Sequence, residues 1–305
     1  MSPPIADLTL VGATESVVAA LHRLRGVRCR LWQDAGEPGD ALVVWSPLAE
    51  CAASFIPSAD NEVLLIGPAN HLSATQVNEW GAQADGRVFL LSGSRGRPYY
   101  RAAWQSVASN QLGQPGLVRY HLWHDEPDLS LEDGLDVVIS LMNDTPIDVF
   151  ATTCSSDSLT AEATLLAASA PTDEQVIVQL GFAQGGMAVL NWHRHSRFRD
   201  AAYESLHVIG ATGAFYGDDH DNVQLMYHDG VQALPAISPD DVLREQLQAW
   251  VDEEHGLQSC QTAPNVLRTP VDEILLRRLA GVARESCQRG AVARLLDGEG
   301  LTYEF

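Results

Sequence analysis

The segment Val11-Gly12-Ala13-Thr14-Glu15-Ser16-Val17 sets a glycine where an apolar run gives way to a helical pattern. A dinucleotide needs such a turn, because its pyrophosphate must approach backbone N–H groups at a helix N-terminus. Only the first glycine of Gly-x-Gly-x-x-Gly is present. Thr14 crowds the second place, Val17 fills the third, and Glu15 adds an anion beside the expected phosphates. Asp34 closes the next apolar run, about 20 residues past Gly12, where an acid holds a ribose 2′-hydroxyl and favours NAD over NADP. A solvated acid in an acidic chain is the competing reading. In Trp192-His193-Arg194-His195 the two histidines share one face of a strand. They make half of a metal site with no third ligand of clear spacing, so no metal is expected. Arg194, Arg197 and Arg199 suit either an anionic ligand or the protein's own surplus carboxylates.

The elements that carry these residues alternate at first. Strand-like runs at Ile5 to Val11, Val27 to Trp32, Ala41 to Trp45, Glu62 to Ile66 and Arg87 to Leu91 are interleaved with helical spacing at Ser16 to Leu24 and Ser73 to Ala84. Ser73 with Gln76 three residues on reads as a capping box. This is the pattern of parallel βαβ units in a doubly wound domain. After Gly113-Gln114-Pro115-Gly116 the texture changes. Strand-like segments at Leu117 to Trp123, Ile147 to Thr153, Glu174 to Phe182, Met187 to His193, Ser205 to Ile209, Gly213 to Tyr216 and Val223 to Tyr227 follow with few helices between them. Helical spacing recurs at Leu131 to Met142, Asp240 to Glu254 and Val271 to Gln288. A second, α+β domain with a large, mostly antiparallel sheet is expected, with domains at 1–116 and 117–305.

Composition narrows the chemistry. The 305 residues carry 40 acids against 19 bases, a formal charge of −21, so neither nucleic acid nor an anionic membrane is an expected partner. All the bases are arginine, and the absence of lysine removes any Schiff base, phosphate-loop lysine or lysine general acid. No run is long and apolar enough to span a bilayer, and the N-terminus lacks the look of a signal peptide, so a cytoplasmic location is expected. Cys29, Cys51, Cys154, Cys260 and Cys287 are scattered, odd in number and without a Cys-x-x-Cys pair, as expected of free thiols.

Further segments carry a resemblance. Val43-Val44-Trp45-Ser46-Pro47 looks like a third strand ending in a proline beside a nicotinamide. Asn61 to Pro68, followed by Leu72-Ser73, is similar to a strand ending in Glu-Lys-Pro ahead of a helix. Ser94-Arg95-Gly96-Arg97-Pro98-Tyr99 resembles an Arg-aromatic-x-Pro segment, and Gln111 to Pro115 a turn into a second domain. Tyr203 to Phe215 follows Glu-x-Leu-x-Val-x-Gly-x-x-Gly closely. Together these resemble the glucose-fructose oxidoreductase/inositol dehydrogenase/rhizopine-catabolism (Gfo/Idh/MocA) family over almost the whole chain.

That resemblance implies an N-terminal NAD(P)-binding, Rossmann-like domain and an NAD(P)-dependent oxidoreductase acting on a sugar, inositol or related polyol. It further implies a homodimer or larger homo-oligomer formed through the C-terminal sheet. Cofactor contacts would fall to Gly12, Ala13, Thr14, Asp34, Ser46 and Pro47, and substrate contacts to Asp133, Asp136 and Arg97. The chain departs from the family where the chemistry should be. The Glu-Lys-Pro lysine aligns with Gly67, a usual histidine aligns with Cys51, and the helix at Leu131 to Ile139 has carboxylates but no histidine. His121 or His124 with Asp133 or Asp136 would rebuild an acid/base pair. The alternative is an inactive relative, with NAD binding retained or lost, that binds a small ligand or nucleotide or regulates a partner enzyme.

Overall fold

The computed structural model describes residues 6–11, 22–24, 27–31, 41–45, 63–67, 72–83, 88–92, 94–124, 129–153, 174–194, 202–219, 224–234, 244, 247–248, 267–295 and 301–304. The chain opens with β1 (Ala6–Val11), β2 (Val27–Leu31), β3 (Ala41–Trp45), β4 (Val63–Gly67), helix α1 (Ala74–Gln83), β5 (Val88–Leu91) and helix α2 (Pro98–Ala108). The five strands are parallel: β1 pairs with β2 and with β3, and β3, β4 and β5 continue outward. Runs such as Ala41-Leu-Val-Val-Trp45 are apolar without alternation, the pattern of strands meant to be covered on both faces. The capping box at α1 forms: Ser73 Oγ accepts the Gln76 N–H at 3.2 Å and Gln76 Oε1 accepts the Ser73 N–H at 2.8 Å. Helix α2 starts at Pro98, whose missing N–H costs nothing in the first turn, and buries Tyr99, Tyr100, Ala102 and Ala103.

The second sheet starts at β6 (Pro115–His124), followed by helix α3 (Leu131–Met142) and strands β7 (Pro146–Thr153), β8 (Glu174–Phe182), β9 (Met187–Arg194), β10 (Tyr203–Gly210), β11 (Ala214–Asp218), β12 (Gln224–Tyr227) and β13 (Val231–Ala233). The C-terminal part adds β14 (Leu267–Arg268), helix α4 (Pro270–Arg289), β15 (Val292–Leu295) and β16 (Leu301–Glu304). The ten-stranded order is β13-β12-β11-β10-β6-β9-β8-β7-β15-β16. Among the described residues β6 and β9 form its parallel pair and every other pair is antiparallel. The mixed α/β class and the large, mostly antiparallel sheet are therefore as the sequence suggests.

The compact units do not follow a single cut at residue 116. One comprises Met1–Arg101 with Ile237–Leu275, the other Ala102–Ala236 with Leu276–Phe305. The reason is pairing: β14 returns to the first sheet and runs antiparallel to β5, giving the order β14-β5-β4-β3-β1-β2. Arg268 of β14 forms a buried ion pair with Glu273, Nη1 to Oε2 at 3.4 Å. At the other sheet a side chain extends the ladder. The buried Ser286 hydroxyl of α4 accepts the Ala151 N–H at 3.0 Å and donates to the Ala291 carbonyl at 2.6 Å. On the same helix Cys287 is a free, half-buried thiol whose pKa burial pushes up. Among the described residues no helix is long and apolar enough to cross a membrane.

Candidate functional site

Strand β6 separates two histidines that lie close in sequence. Val118, Tyr120, Leu122 and His124 are buried on the face that α3 covers, whereas Arg119, His121 and Trp123 point to the open face. Positions 121 and 124 differ by three, and a strand turns side chains over with a period of two. His124 therefore stands on the face of Asp133 and Asp136, and His121 does not.

Helix α3 is fixed on this face by two close approaches. A Cβ on Gly134 would fall 2.8 Å from Leu190 Cδ1, and one on Gly186 would fall 2.8 Å from Met142 Cε. From Gly186 to Leu190 is about 13 Å of strand, and from Met142 to Gly134 about 12 Å of helix, so α3 runs antiparallel to β9. One more turn, about 6 Å, brings its N-cap to the level of Trp192. The helix starts there because Ser130 Oγ accepts the Asp133 N–H at 3.3 Å, while Asp133 Oδ2 accepts the Ser130 N–H at 3.1 Å and its hydroxyl at 2.9 Å. Asp133 is thus committed to a capping box. Asp136, one turn on, is 2% exposed.

A band of polar side chains lies at this level of the covered face. Glu204, Leu122, Trp192 and Val176 are register neighbours across β10, β6, β9 and β8. Tyr120 donates its hydroxyl to Glu204 Oε2 at 3.5 Å, inside the protein. The Glu204 N–H donates to Asp219 Oδ1 at 2.8 Å, tying the start of β10 to the end of β11. His124, 1% exposed, meets the Trp192 ring edge-on with centroids 5.7 Å apart, and the Arg194 guanidinium stands over that indole at 5.8 Å. Carboxylates, an imidazole and an indole N–H are what a polyhydroxylated molecule needs for orientation and proton exchange. Glu204 and Trp192 were not expected. Glu204 is visible in the sequence only as the first residue of the Glu-x-Leu-x-Val-x-Gly-x-x-Gly segment.

The open face has a different character. His121 Nδ1 takes an N–H from Asn191 at 3.4 Å, and Asn191 Oδ1 in turn accepts from Gln175 at 3.2 Å. Partial burial, then the charge of Arg119 and then His207, hold His121 below the usual histidine range. Burial followed by Arg119 does the same to His207, with Asp218 opposing. His193 stands edge-on to Trp123 at 5.5 Å on this face, and His195 lies outside the described residues. Among the described residues no three His, Cys, Asp or Glu side chains converge as metal ligands would.

Of the other expected positions, Gly12, Ala13, Thr14, Asp34, Ser46 and Pro47 lie outside the described residues. Arg97 belongs to the first unit, in the turn ahead of α2, where its N–H donates to the Ser94 carbonyl at 3.2 Å.

No family profile matches the chain, and no curated protein matches it in sequence. Solved structures do. A myo-inositol dehydrogenase from Corynebacterium glutamicum superposes with a TM-score of 0.67 at 17% identity, over 96% of this chain and 100% of that one. An oxidoreductase from Agrobacterium radiobacter, in complex with NAD+, L-tartaric acid and magnesium, gives 0.68 at 12% identity over 95% and 98%. The super-repressor mutant of Gal80p from Saccharomyces cerevisiae gives 0.70 at 12% over 95% and 97%. The chain has the fold of the Gfo/Idh/MocA-type oxidoreductases. At these identities the Gfo/Idh/MocA likeness is one of architecture, covering both sheets and nearly the full length of each chain.

Proposed function

We propose that this chain is an NAD(P)-dependent oxidoreductase of the Gfo/Idh/MocA type acting on a sugar, inositol or related polyol, with His124 in place of the family's lysine and histidine. The observation that carries the reading is the buried His124 on the face covered by α3, the helix that bears Asp133 and Asp136. The cofactor reading is supported by the first sheet. Its order reverses at β1, and open α/β sheets bind ligands beyond the carboxyl ends of their strands at such a reversal. Gly12, Ala13 and Thr14 follow β1 in sequence, Asp34 follows β2, and Ser46 and Pro47 follow β3; these are three adjacent parallel strands.

When bound there, NAD(P) supplies the hydride acceptor or donor. The chain's own groups do the rest. His124 holds the proton of the reacting hydroxyl, Asp136 carries the charge that balances it, and Asp133 fixes the start of the helix. An NADH titration of the purified protein at low and high salt tests the reading: saturable micromolar binding supports it, and no binding up to millimolar ends it. Asp34→Ala is expected to weaken NADH by roughly 10- to 150-fold, the loss of one charged hydrogen bond of about 1.5–3 kcal/mol. Unchanged affinity by calorimetry would remove Asp34 from the site.

A regulatory reading has its own support in the likeness to Gal80p and in the absence of lysine. NADH binding without turnover on any polyol would favour it. In either case the open sheet face is assigned to a second copy of the chain. Phe150, Tyr203, Ile209, Tyr227 and Val231 are exposed along it, at 38% to 62%, on strands from β7 to β13. Sedimentation equilibrium should return at least twice the 33.1 kDa chain mass. Glutamate at both Phe150 and Tyr227 should return the monomer.

A further inference from the structure

Trp192 is 3% exposed, yet its indole Nε1–H has no hydrogen-bond partner among the described residues. An indole nitrogen can only donate, so neither tautomer nor rotation of a hydrogen relieves it. Buried donors are almost always paired, and one left unpaired in a native interior calls for a specific cause. The ring has neighbours on several sides. His124 stands at its edge, Arg194 lies over its face, and Leu122 and Val176 flank it across the sheet. The N-cap of α3 reaches the same level. Among the described residues of this face, Asp133, Asp136 and Glu204 supply three buried carboxyl groups, and Arg194 an exposed guanidinium.

We propose that Trp192 is a specificity-determining residue whose indole N–H donates to a hydroxyl oxygen of a neutral polyol, selecting it over a hydroxy acid. This rests on the oxidoreductase reading and names the polarity of its substrate. A hydroxyl oxygen can accept from Trp192 and donate its own proton to a further acceptor at the same time. A carboxylate ligand can only accept, and the covered face carries further acceptors in Asp133, Asp136 and Glu204. The indole N–H of Trp123 is also without a partner among the described residues, but Trp123 is half-buried and belongs to the open face, so it serves as the control.

The experiment uses the full chain and the variants Trp192→Phe and Trp123→Phe, which keep an aromatic ring and lose the donor. Each is titrated calorimetrically with NADH, with myo-inositol and with L-tartrate, and melted without ligand. Trp192→Phe should weaken myo-inositol about tenfold, leave NADH unchanged and leave the apo Tm equal or higher, since an unpaired donor has been removed. Trp123→Phe should bind myo-inositol as wild type does. In the 15N spectrum, the indole resonance lost in Trp192→Phe should move downfield when myo-inositol is added to wild type. Wild-type affinity in Trp192→Phe, a lowered apo Tm, tighter binding of tartrate than of inositol, or no inositol binding by wild type would each overturn the proposal. Loss of NADH binding by wild type would instead sink the oxidoreductase reading, because the polyol titration needs no cofactor.

Discussion

Replacing His124 with glutamine is expected to lower turnover on the best polyol by about 10²- to 10⁴-fold, the usual contribution of a positioned acid or base. Affinity for NADH should not change, because the residues proposed for the cofactor follow β1, β2 and β3 of the first sheet in sequence, and His124 stands on β6 of the second. Glutamine keeps a donor and an acceptor at the buried position, so folding is preserved and the loss reports on proton exchange. His121→Gln is the matched control. That side chain is three residues away on the opposite face of β6, and its loss should leave turnover close to wild type. Stopped-flow absorbance of NADH formation in a single turnover separates the chemical step from release. Equal rates for His124→Gln and wild type would move the proton to Asp136 or to another group.

Gly210→Ala is expected to cost more than about 3 kcal/mol of folding stability. The cause is contact, not backbone freedom. A Cβ on Gly210 would run into the Leu112 carbonyl, and one on Gly213 would stand 2.6 Å from the Tyr227 carbonyl oxygen. The β10–β11 turn is pressed onto the segment ahead of β6, with the Thr212 N–H donating to Leu112 O at 3.0 Å and the Ala211 N–H to Gln114 O at 3.1 Å. This gives the Gly-x-x-Gly segment a physical meaning independent of catalysis. Gly281→Ala on α4, where nothing lies within 4 Å, should instead stabilise by about 0.5–1 kcal/mol. Urea midpoints for the pair would show the contrast; a mild Gly210→Ala would mean that the turn can move aside.

Elements with a strong period could be read from the sequence. Helix α3 runs from Leu131 to Met142 as its spacing predicts, and β3 occupies Ala41–Trp45 as expected. Elements without a period could not. The strands β14, β15 and β16 are two to four residues long and exist because of long-range pairing. Helix α2 begins with proline and two tyrosines, whose placement depends on burial and not on amphipathic spacing. The site divides in the same way. Strand parity alone separates His121 from His124. That the Trp192 N–H finds no partner among the described residues could not be foreseen, because it depends on what several strands and a helix bring around one nitrogen.

The return of β14 to β5 bears on how this protein can be cut. A fragment ending at residue 116 would lose Leu267–Arg268, and with them the antiparallel cover on β5. Its outermost parallel strand, Val-Phe-Leu-Leu, would then offer a bare row of backbone donors and acceptors to any other chain in solution. An N-terminal fragment made by simple truncation would therefore be prone to self-association. A soluble version needs the distant segment grafted back by a linker. The same stitch ties inheritance of the two halves together, since neither can be exchanged between relatives by a single crossover in the gene.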